Sequence, residues 1–264
     1  TRAAHAIVLS WGARRALIAF AAGAASVLAL APFHLWPILF VTLPIAVLLI
    51  DGTGAGRYGG IVSAAIVGWW FGFGYFLAGL YWVGNAFLVD AKTLGWLLPF
   101  AVTSLPAGLA LFCAIGFALA RLIWTHGADR VLSFAVGVTI SEWLRGHVLT
   151  GFPWNAFGHA LTDSLMLAQS ASLVGLWGLT FIALAAGASP VALLAETDTR
   201  GKWLAPGIAL GVLAAMAIFG AWRLSATPTR TVDNVKLRLM QPNIQQDEKF
   251  NYSAKQATMR KYLD

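Results

Sequence analysis

The stretch Gly68–Phe76, "GWWFGFGYF", lies inside Gly59–Val89, a run of residues with no Asp, Glu, Lys or Arg. A helix that crosses a bilayer needs about 20 mostly apolar residues, so this run predicts one tilted membrane span. Gly68 and Gly72 form a G-x-x-x-G pair, which lets two helices approach closely. We therefore expect this span to pack tightly against a neighbouring helix. A wall of aromatic side chains facing lipid is the alternative.

The composition of the whole chain is that of a membrane protein. Of its 264 residues, 59% are hydrophobic and 11% are charged, whereas soluble domains carry roughly a quarter charged residues. The net charge of +7 is typical of loops that face the cytoplasm. Because no Lys/Arg run is interleaved with aromatic residues, we expect no nucleic-acid partner. The single cysteine, Cys113, excludes an internal disulfide framework and a Cys-rich metal site.

Other apolar runs predict further membrane helices, about seven spans in all. Ala16–Ile50 is uncharged but is interrupted by Pro32, so it predicts a hairpin of two short helices. The remaining runs are Thr93–Ala120, Val131–Leu144, Leu165–Ala195 and Trp203–Trp222. The predicted fold class is an all-α polytopic membrane helix bundle over residues 1–228.

Lys and Arg concentrate on one side of this topology. With a cytoplasmic N-terminus, that side receives Arg2, Arg14, Arg15, Arg57, Arg121, Arg130, Arg200 and Lys202, and the other receives Lys92, Arg145 and Arg223. The positive-inside rule therefore predicts a cytoplasmic N-terminus and a tail outside the cytoplasm. A transporter or channel would carry ionisable residues in mid-span, but in the predicted spans they fall near the ends.

Residues 229–264 have the pattern of a different kind of domain. From Val235 to Met240 apolar and polar residues largely alternate, which predicts a strand, and Gln241-Pro242-Asn243 predicts a turn. Ser253 and Gln256 form an S-x-x-Q capping box before a helix. Strand, loop and helix together are the opening of a βαβ unit, which needs a second strand to pair. We expect these residues to be the truncated start of an α/β domain.

The stretch Ser141–Leu161, "SEWLRGHVLTGFPWNAFGHAL", lies on the same side as the tail. Glu142 and Arg145 are three residues apart, so they share a helix face and can pair; separate snorkelling to the membrane surface is the alternative. Pro153 ends any helix, so Phe152 and Trp154 would be presented from a loop at membrane depth. Such a loop is tolerated where protein buries it or where it lines a cavity, which leaves a packed re-entrant loop and a lipid-contacting pocket rim both open.

Four stretches together resemble the bacterial apolipoprotein N-acyltransferases. They are "LALAPFHLWP" (Leu28–Pro37), "EWLRGHVLTGFPWNAFGHAL" (Glu142–Leu161), "LAQSASLVGLWGLTFI" (Leu167–Ile182) and "VKLRLMQPNIQQDEKF" (Val235–Phe250). They occur in the order found in the family, and the likeness covers essentially the whole chain.

The resemblance implies a multi-pass protein of the bacterial inner (plasma) membrane, with the tail entering a periplasmic nitrilase-like (carbon-nitrogen hydrolase) domain at residues 229–264. It implies a two-step acyl transfer. A phospholipid donates an acyl chain to a cysteine, and the thioester then acylates the α-amine of the S-diacylglyceryl cysteine of an apolipoprotein. The expected partners are these two substrates and membrane lipids, the expected state is a monomer, and no cofactor is implied.

By residue matching, the resemblance assigns contacts with acyl chains or gating of the cavity to Gly151, Phe152, Pro153 and Trp154. It implies that Glu142 and Arg145 shape this loop. These six residues are the expected substrate and lipid-binding set, and none of them is expected to be catalytic.

The resemblance places the family's catalytic Glu, Lys and Cys beyond Asp264, together with an eighth helix, so we expect the chain as printed to lack the reaction. Glu248 and Lys249 match a loop and not the triad, and Cys113 is expected to be a core residue. Gln241 and Asn243 are expected to organise the tail domain. A non-catalytic lipid-binding anchor and a transporter-like bundle are the alternative functions.

We expect no metal site. His147 and His159 flank the loop, but they are twelve residues apart with no carboxylate or cysteine between them, which is a poor ligand set.

Overall fold

The computed structural model describes residues 2–54, 57–88, 91–125, 127–194, 199–226, 234–241, 243–244, 253 and 255–263. Within these ranges every regular element is helical, and no strand is present. The α-helices are α1 (Arg2–Val8), α2 (Gly12–Ser26), α3 (Leu39–Asp51), α4 (Arg57–Leu80), α5 (Asn85–Leu88), α6 (Ala91–Leu94), α7 (Leu98–Leu122), α8 (Arg130–His147), α9 (Leu165–Ala168), α10 (Ala171–Ala188), α11 (Thr199–Ala226) and α12 (Lys255–Leu263).

Five of the described helical segments are long and apolar enough to cross a membrane. They are Gly12–Ala29, Gly59–Leu88, Ala91–Leu122, Ala171–Leu194 and Gly201–Ala226. A helix forms at each of the seven predicted positions, but Trp36–Asp51 is shorter than these five, and α8, which carries buried charge, is not among them. Length and apolarity therefore support five spans, and they do not by themselves identify α3 or α8 as a span.

Helices α2 and α3 form the predicted hairpin. The helical run of α2 and its 3-10 extension ends at Ala29, and α3 is preceded by a 3-10 turn, Trp36–Ile38, so the break falls around Pro32. In the core between them, the Ser26 hydroxyl donates to the Thr42 hydroxyl oxygen at 2.8 Å. This contact gives each hydroxyl a hydrogen-bond partner inside an apolar bundle, where lipid chains offer none.

Helix α4 packs against α2 on one side and against α7 on the other. A Cβ atom at Gly68 would lie 2.6 Å from the Cys113 carbonyl oxygen, and one at Gly72 would lie 2.6 Å from Cys113 Cβ. On the α2 side, a Cβ atom at Gly74 would lie 2.1 Å from the Phe20 carbonyl oxygen. Real side chains do not fit at such distances, so the close approach predicted from the G-x-x-x-G pair is confirmed.

The run Leu165–Ala195 is not one straight helix. It contains the short helix α9 and then α10, in which Gly175 has φ 64° and ψ −174°, outside the helical region. Glycine has no Cβ and enters this region without strain. The apolar composition predicts a long helix here, but it does not report the backbone kink.

In the tail, residues 235–241 have no regular secondary structure and are exposed, so the predicted strand is wrong for these described residues. A strand gains its hydrogen bonds from a partner strand, and the described part of the chain supplies none. The predicted helix is confirmed as α12. The expectation for Glu248 and Lys249 lies outside the described residues, and nothing observed tests the boundary between residues 228 and 229.

Candidate functional site

The last turns of α8 carry an ion pair inside the bundle. Arg145 Nη2 lies 2.8 Å from Glu142 Oε2, and Arg145 Nε lies 3.2 Å from Glu142 Oε1. Each residue is only 1% exposed. The predicted pairing is confirmed, and the snorkelling alternative is wrong, because neither charge reaches the surface. A two-point contact of this kind is the strongest geometry available to a guanidinium and a carboxylate.

The guanidinium of Arg145 also holds the loop that follows α8. Its Nη1 donates to the carbonyl oxygens of Phe152 and Trp154, the second at 2.8 Å. In return, the Phe152 N–H donates to the Arg145 carbonyl oxygen at 2.8 Å. A buried charge is costly unless it is paired and hydrogen-bonded. Here Glu142 pairs with the guanidinium charge, and the loop carbonyls accept hydrogen bonds from its remaining donors. The path of residues 148–156 therefore depends on the Arg145 side chain.

The loop backbone adopts positive φ values, which residues with a Cβ atom rarely take. Leu149, Thr150 and Asn155 have φ of 54°, 74° and 56°, and Gly151 has φ of 80°. A Cβ atom at Gly151 would lie 2.3 Å from the Gly146 carbonyl oxygen. Non-glycine residues persist at such angles only where surrounding contacts impose them. The loop is thus shaped by its anchors and not by its own local preferences.

Helix α4 provides the second anchor of the loop. The Tyr75 hydroxyl donates to the Asn155 carbonyl oxygen at 2.8 Å. The Tyr75 ring stacks on Phe157 with 4.8 Å between ring centroids, and Arg145 Cζ lies 5.0 Å from the centroid of Phe76. Stacking and cation–π contacts each add to the burial of these groups. The loop is therefore fixed from α8 and from α4 at once.

The outer face of the loop is aromatic. Trp154 is 54% exposed and stacks on Trp82 with 5.5 Å between ring centroids. The Phe152 ring lies 6.2 Å from the Trp154 ring. Backbone contacts hold this part of the loop in place, so the indole of Trp154 presents a large, exposed apolar surface in a fixed position.

A cavity of about 710 Å³ opens beside Trp154. Its lining includes Leu30, His34, Pro153, Trp154, Asp163 and Leu176. His34 Nδ1 lies 3.0 Å from Asp163 Oδ1, so one wall is polar while Trp154, Pro153 and the leucines are apolar. This volume and this mixture of surfaces are typical of small-molecule sites.

The sequence comparison identifies the group of proteins to which this bundle belongs. Residues 22–189 match the family model described as the apolipoprotein N-acyltransferase N-terminal domain. This chain is a member of the apolipoprotein N-acyltransferase family. With five candidate spans, it is a multi-pass membrane member.

Proteins named apolipoprotein N-acyltransferase match essentially the whole chain. The one from Rhodopseudomonas palustris is 61% identical over 264 residues, which is 100% of this chain and 49% of the relative. The one from Bradyrhizobium diazoefficiens is 63% identical over 261 residues, or 98% of this chain and 49% of the relative. The one from Brucella melitensis is 43% identical over 270 residues, or 99% and 50%. The chain thus spans about half the length of these N-acyltransferases.

The six residues expected to bind lipid in this N-acyltransferase family member fall into three groups. Pro153 and Trp154 line the cavity. Glu142 and Arg145 are buried behind the loop and hold it. Gly151 and Phe152 belong to the loop but are not among the residues lining the cavity. Contact with lipid itself stays a prediction for all six.

Sequence reasoning missed the polar wall of the cavity. His34 belongs to the first hairpin and Asp163 follows the loop, so 129 positions of sequence separate two side chains that touch. The stretch "LALAPFHLWP" that contains His34 was the available signal, but it was used only for the resemblance. His159 also lines the cavity, and burial lowers the pKa of its imidazole below the usual value.

Proposed function

We propose that this chain is the membrane part of an apolipoprotein N-acyltransferase of the bacterial inner membrane, and that the cavity beside Trp154 receives the phospholipid acyl donor. The observation that carries the proposal is the fixed aromatic loop beside a cavity of about 710 Å³, in a chain that belongs to this family. An exposed indole held by backbone contacts suits an acyl chain, because hydrophobic contact is non-directional and a rigid wall loses little entropy on binding.

The proposed reaction has two steps. A thiolate attacks the ester carbonyl carbon of the phospholipid, a C–S bond forms, and the ester C–O bond breaks to release a lysophospholipid that takes up a proton. The α-amine of the diacylglyceryl cysteine then attacks the thioester. A C–N bond forms, the C–S bond breaks, and the sulfur regains a proton from the amine.

Cys113 is not the proposed nucleophile. It is 2% exposed in α7, and its side chain lies against Gly72 of α4, so neither a phospholipid ester nor a base can reach it. The thiol, carboxylate and cation of the reaction are proposed to belong to the family's nitrilase-like domain, which residues 229–264 begin. Gln241 and Asn243 are proposed to lie at the root of that domain.

Within the described residues, the proposed roles are binding and orientation. Trp154, which lines the cavity and is supported by the Trp82 ring, would contact the acyl chain. The His34–Asp163 pair would face the polar part of the lipid, since it forms the polar wall of the same cavity. Arg145 and Glu142 would act as positioning residues, because they touch the loop and not the cavity.

The proposed topology has seven spans, with the N-terminus in the cytoplasm and the tail in the periplasm. The Lys/Arg asymmetry supports it. It requires α3 and α8 to cross as well as the five longer segments. Burial of Glu142 and Arg145 inside the bundle supports α8 as an inserted helix, because a paired charge facing protein is tolerated at membrane depth.

The test uses the full-length protein that carries this sequence, in vesicles containing phosphatidylethanolamine with a labelled acyl chain and a diacylglyceryl peptide acceptor. Replacing Trp154 by Ala is expected to raise the KM for phospholipid and to lower kcat/KM about tenfold or more, equivalent to about 1.4 kcal/mol of lost contact. Trp11→Ala is the matched control. Trp11 is 82% exposed near the N-terminus and does not line the cavity.

Equal activity of the Trp154→Ala variant and the wild type would contradict the role of the cavity. Retention of phospholipid without an acyl-thioester on any cysteine of the full-length protein would instead identify a non-catalytic lipid-binding anchor.

A further inference from the structure

A second cavity lies at the end of α8 that is opposite the loop. It is an apolar groove of about 240 Å³ between the start of α8, the end of α10 and the first half of α11. Helix α8 has 18 residues, so its two ends are about 27 Å apart. The groove is therefore separate from the cavity beside Trp154, and the proposed function makes no use of it.

The groove exists because α11 is attached to the bundle at other points. A Cβ atom at Gly220 would lie 1.9 Å from the Met166 carbonyl oxygen, and Arg223 Nη1 donates to the Gln169 carbonyl oxygen at 3.3 Å. At its other end, α11 contacts the 3-10 segment Ser189–Leu194. Between these points small side chains, including Ala185 and Ala209, leave a gap between two helices.

The surroundings of the gap determine what can fill it. Helices α10 and α11 both belong to candidate spans, so the medium beside the groove is hydrocarbon. Ile182, Ile208 and Val212 are among its lining residues. An unfilled gap would forfeit the dispersion contacts that close packing provides. A hydrocarbon chain is the occupant that matches such walls.

The length of the groove matches one leaflet. From Leu204 to Val212, the groove residues of α11 cover eight residue steps, about 12 Å along a helix. The hydrocarbon core of a bilayer is about 30 Å thick, so a chain entering from one side would follow the groove to near the bilayer centre.

The mouth of the groove carries charge. The carboxylate of Asp129 lines this end of the groove and repels a lipid phosphate, so a cation beside it has to supply the attraction. Lys202 precedes Ala205 by three positions on α11, so it shares the helix face that lines the groove. A lysine at a membrane surface can extend its ammonium to a lipid phosphate.

We propose that this groove binds one acyl chain of a phospholipid whose phosphate lies beside Lys202. The lipid belongs to the leaflet opposite the cavity, which is the cytoplasmic leaflet in the proposed topology. The site holds lipid as part of the structure of the bundle and does not depend on acyl transfer.

The test uses the full-length protein in phosphatidylcholine vesicles containing a phosphatidylglycerol with a photoreactive diazirine midway along one acyl chain. After irradiation, the labelled peptides are mapped by mass spectrometry. Labelling is expected to concentrate on peptides containing residues 181–189 and 204–212. Ala209→Phe fills the groove and is expected to lower labelling of these peptides about tenfold, the loss that corresponds to about 1.4 kcal/mol.

Leu210→Phe is the matched control, because Leu210 is adjacent in sequence and 63% exposed away from the groove. It is expected to leave labelling unchanged. Ala205→Leu, a smaller change at a half-buried groove residue, replaces Ala209→Phe if that variant does not fold. Equal labelling in the groove and control variants, or labelling spread evenly along α11, would overturn the proposal, since either result means surface lipid only.

Discussion

Arg145 combines a permanent charge with almost complete burial. Its contacts have two roles: one balances the charge, and the others hold the loop. Glu142 balances the charge, and the carbonyl oxygens of Phe152 and Trp154 use the remaining donors. Its i,i+3 spacing from Glu142 was enough to predict the pair. The carbonyl contacts were not predictable, because they depend on positive φ at Leu149 and Thr150, and neither residue type signals that conformation.

Removing the arginine alone is expected to be severe. Arg145→Met leaves Glu142 buried without a partner, which costs about 3–5 kcal/mol in comparable buried pairs. The measurement is the midpoint of thermal unfolding of the purified protein in detergent, and we expect a large decrease.

The double variant Glu142→Gln/Arg145→Met separates the charge from the packing. It removes both charges, so it is expected to recover about 1 kcal/mol or more relative to Arg145→Met alone. Additive losses from the two single substitutions would contradict the assignment of Glu142 as the partner that balances Arg145.

At the scale of elements, α4 is the helix against which α2 and α7 are fitted. Its glycines receive α2 on one face and α7 on the other. The G-x-x-x-G spacing predicted the close approach, and apolar runs predicted where helices form. The kink at Gly175 and the lack of a strand at Val235–Met240 were not predictable, because the first depends on packing and the second on a partner strand.

The α4–α7 contact gives a direct test. Gly72→Ala would place a Cβ atom 2.6 Å from Cys113 Cβ and 3.1 Å from Ala110 Cα, so the helices must separate. We expect a loss of about 1–3 kcal/mol, as for other overpacked interiors, measured as a lower thermal midpoint.

Gly108→Ala, on α7, provides the control. A Cβ atom there meets nothing within 4 Å, and alanine is the better helix former. We therefore expect unchanged or slightly higher stability. An equal decrease of the thermal midpoint in both variants would mean that Gly72 does not stabilise the protein by allowing the close approach of α4 and α7.

At the scale of the whole molecule, orientation in the membrane is the property that organises all the proposed roles. Cys113 is 2% exposed within α7, so it contributes little background to thiol labelling. Ala13→Cys and Thr162→Cys, each made in a full-length protein whose proposed nucleophilic cysteine is replaced by Ala, introduce single exposed thiols on opposite sides of the proposed topology.

A membrane-impermeant maleimide added to spheroplasts is expected to label Thr162→Cys at once and Ala13→Cys only after lysis. The reverse order would mean that the N-terminus is outside the cytoplasm. Labelling of both variants before lysis would contradict the odd number of spans that the proposed topology places between residues 13 and 162.

The overall architecture was accessible from sequence because the membrane imposes one rule on every span: satisfy backbone hydrogen bonds within the helix and present apolar side chains. The cavity was less accessible. His34 and Asp163 come from distant segments, and nothing in the local pattern around either residue indicates that they meet.

The buried charge pair also imposes an order on biosynthesis. A helix carrying Glu142 and Arg145 is a poor candidate for insertion on its own, since charged side chains are costly to place at membrane depth unless they are paired. The groups that receive it and its loop, Phe76 and Tyr75, lie in α4 and leave the ribosome first. We therefore expect α4 to insert into the membrane first, and α8 to insert later by packing against it as synthesis proceeds.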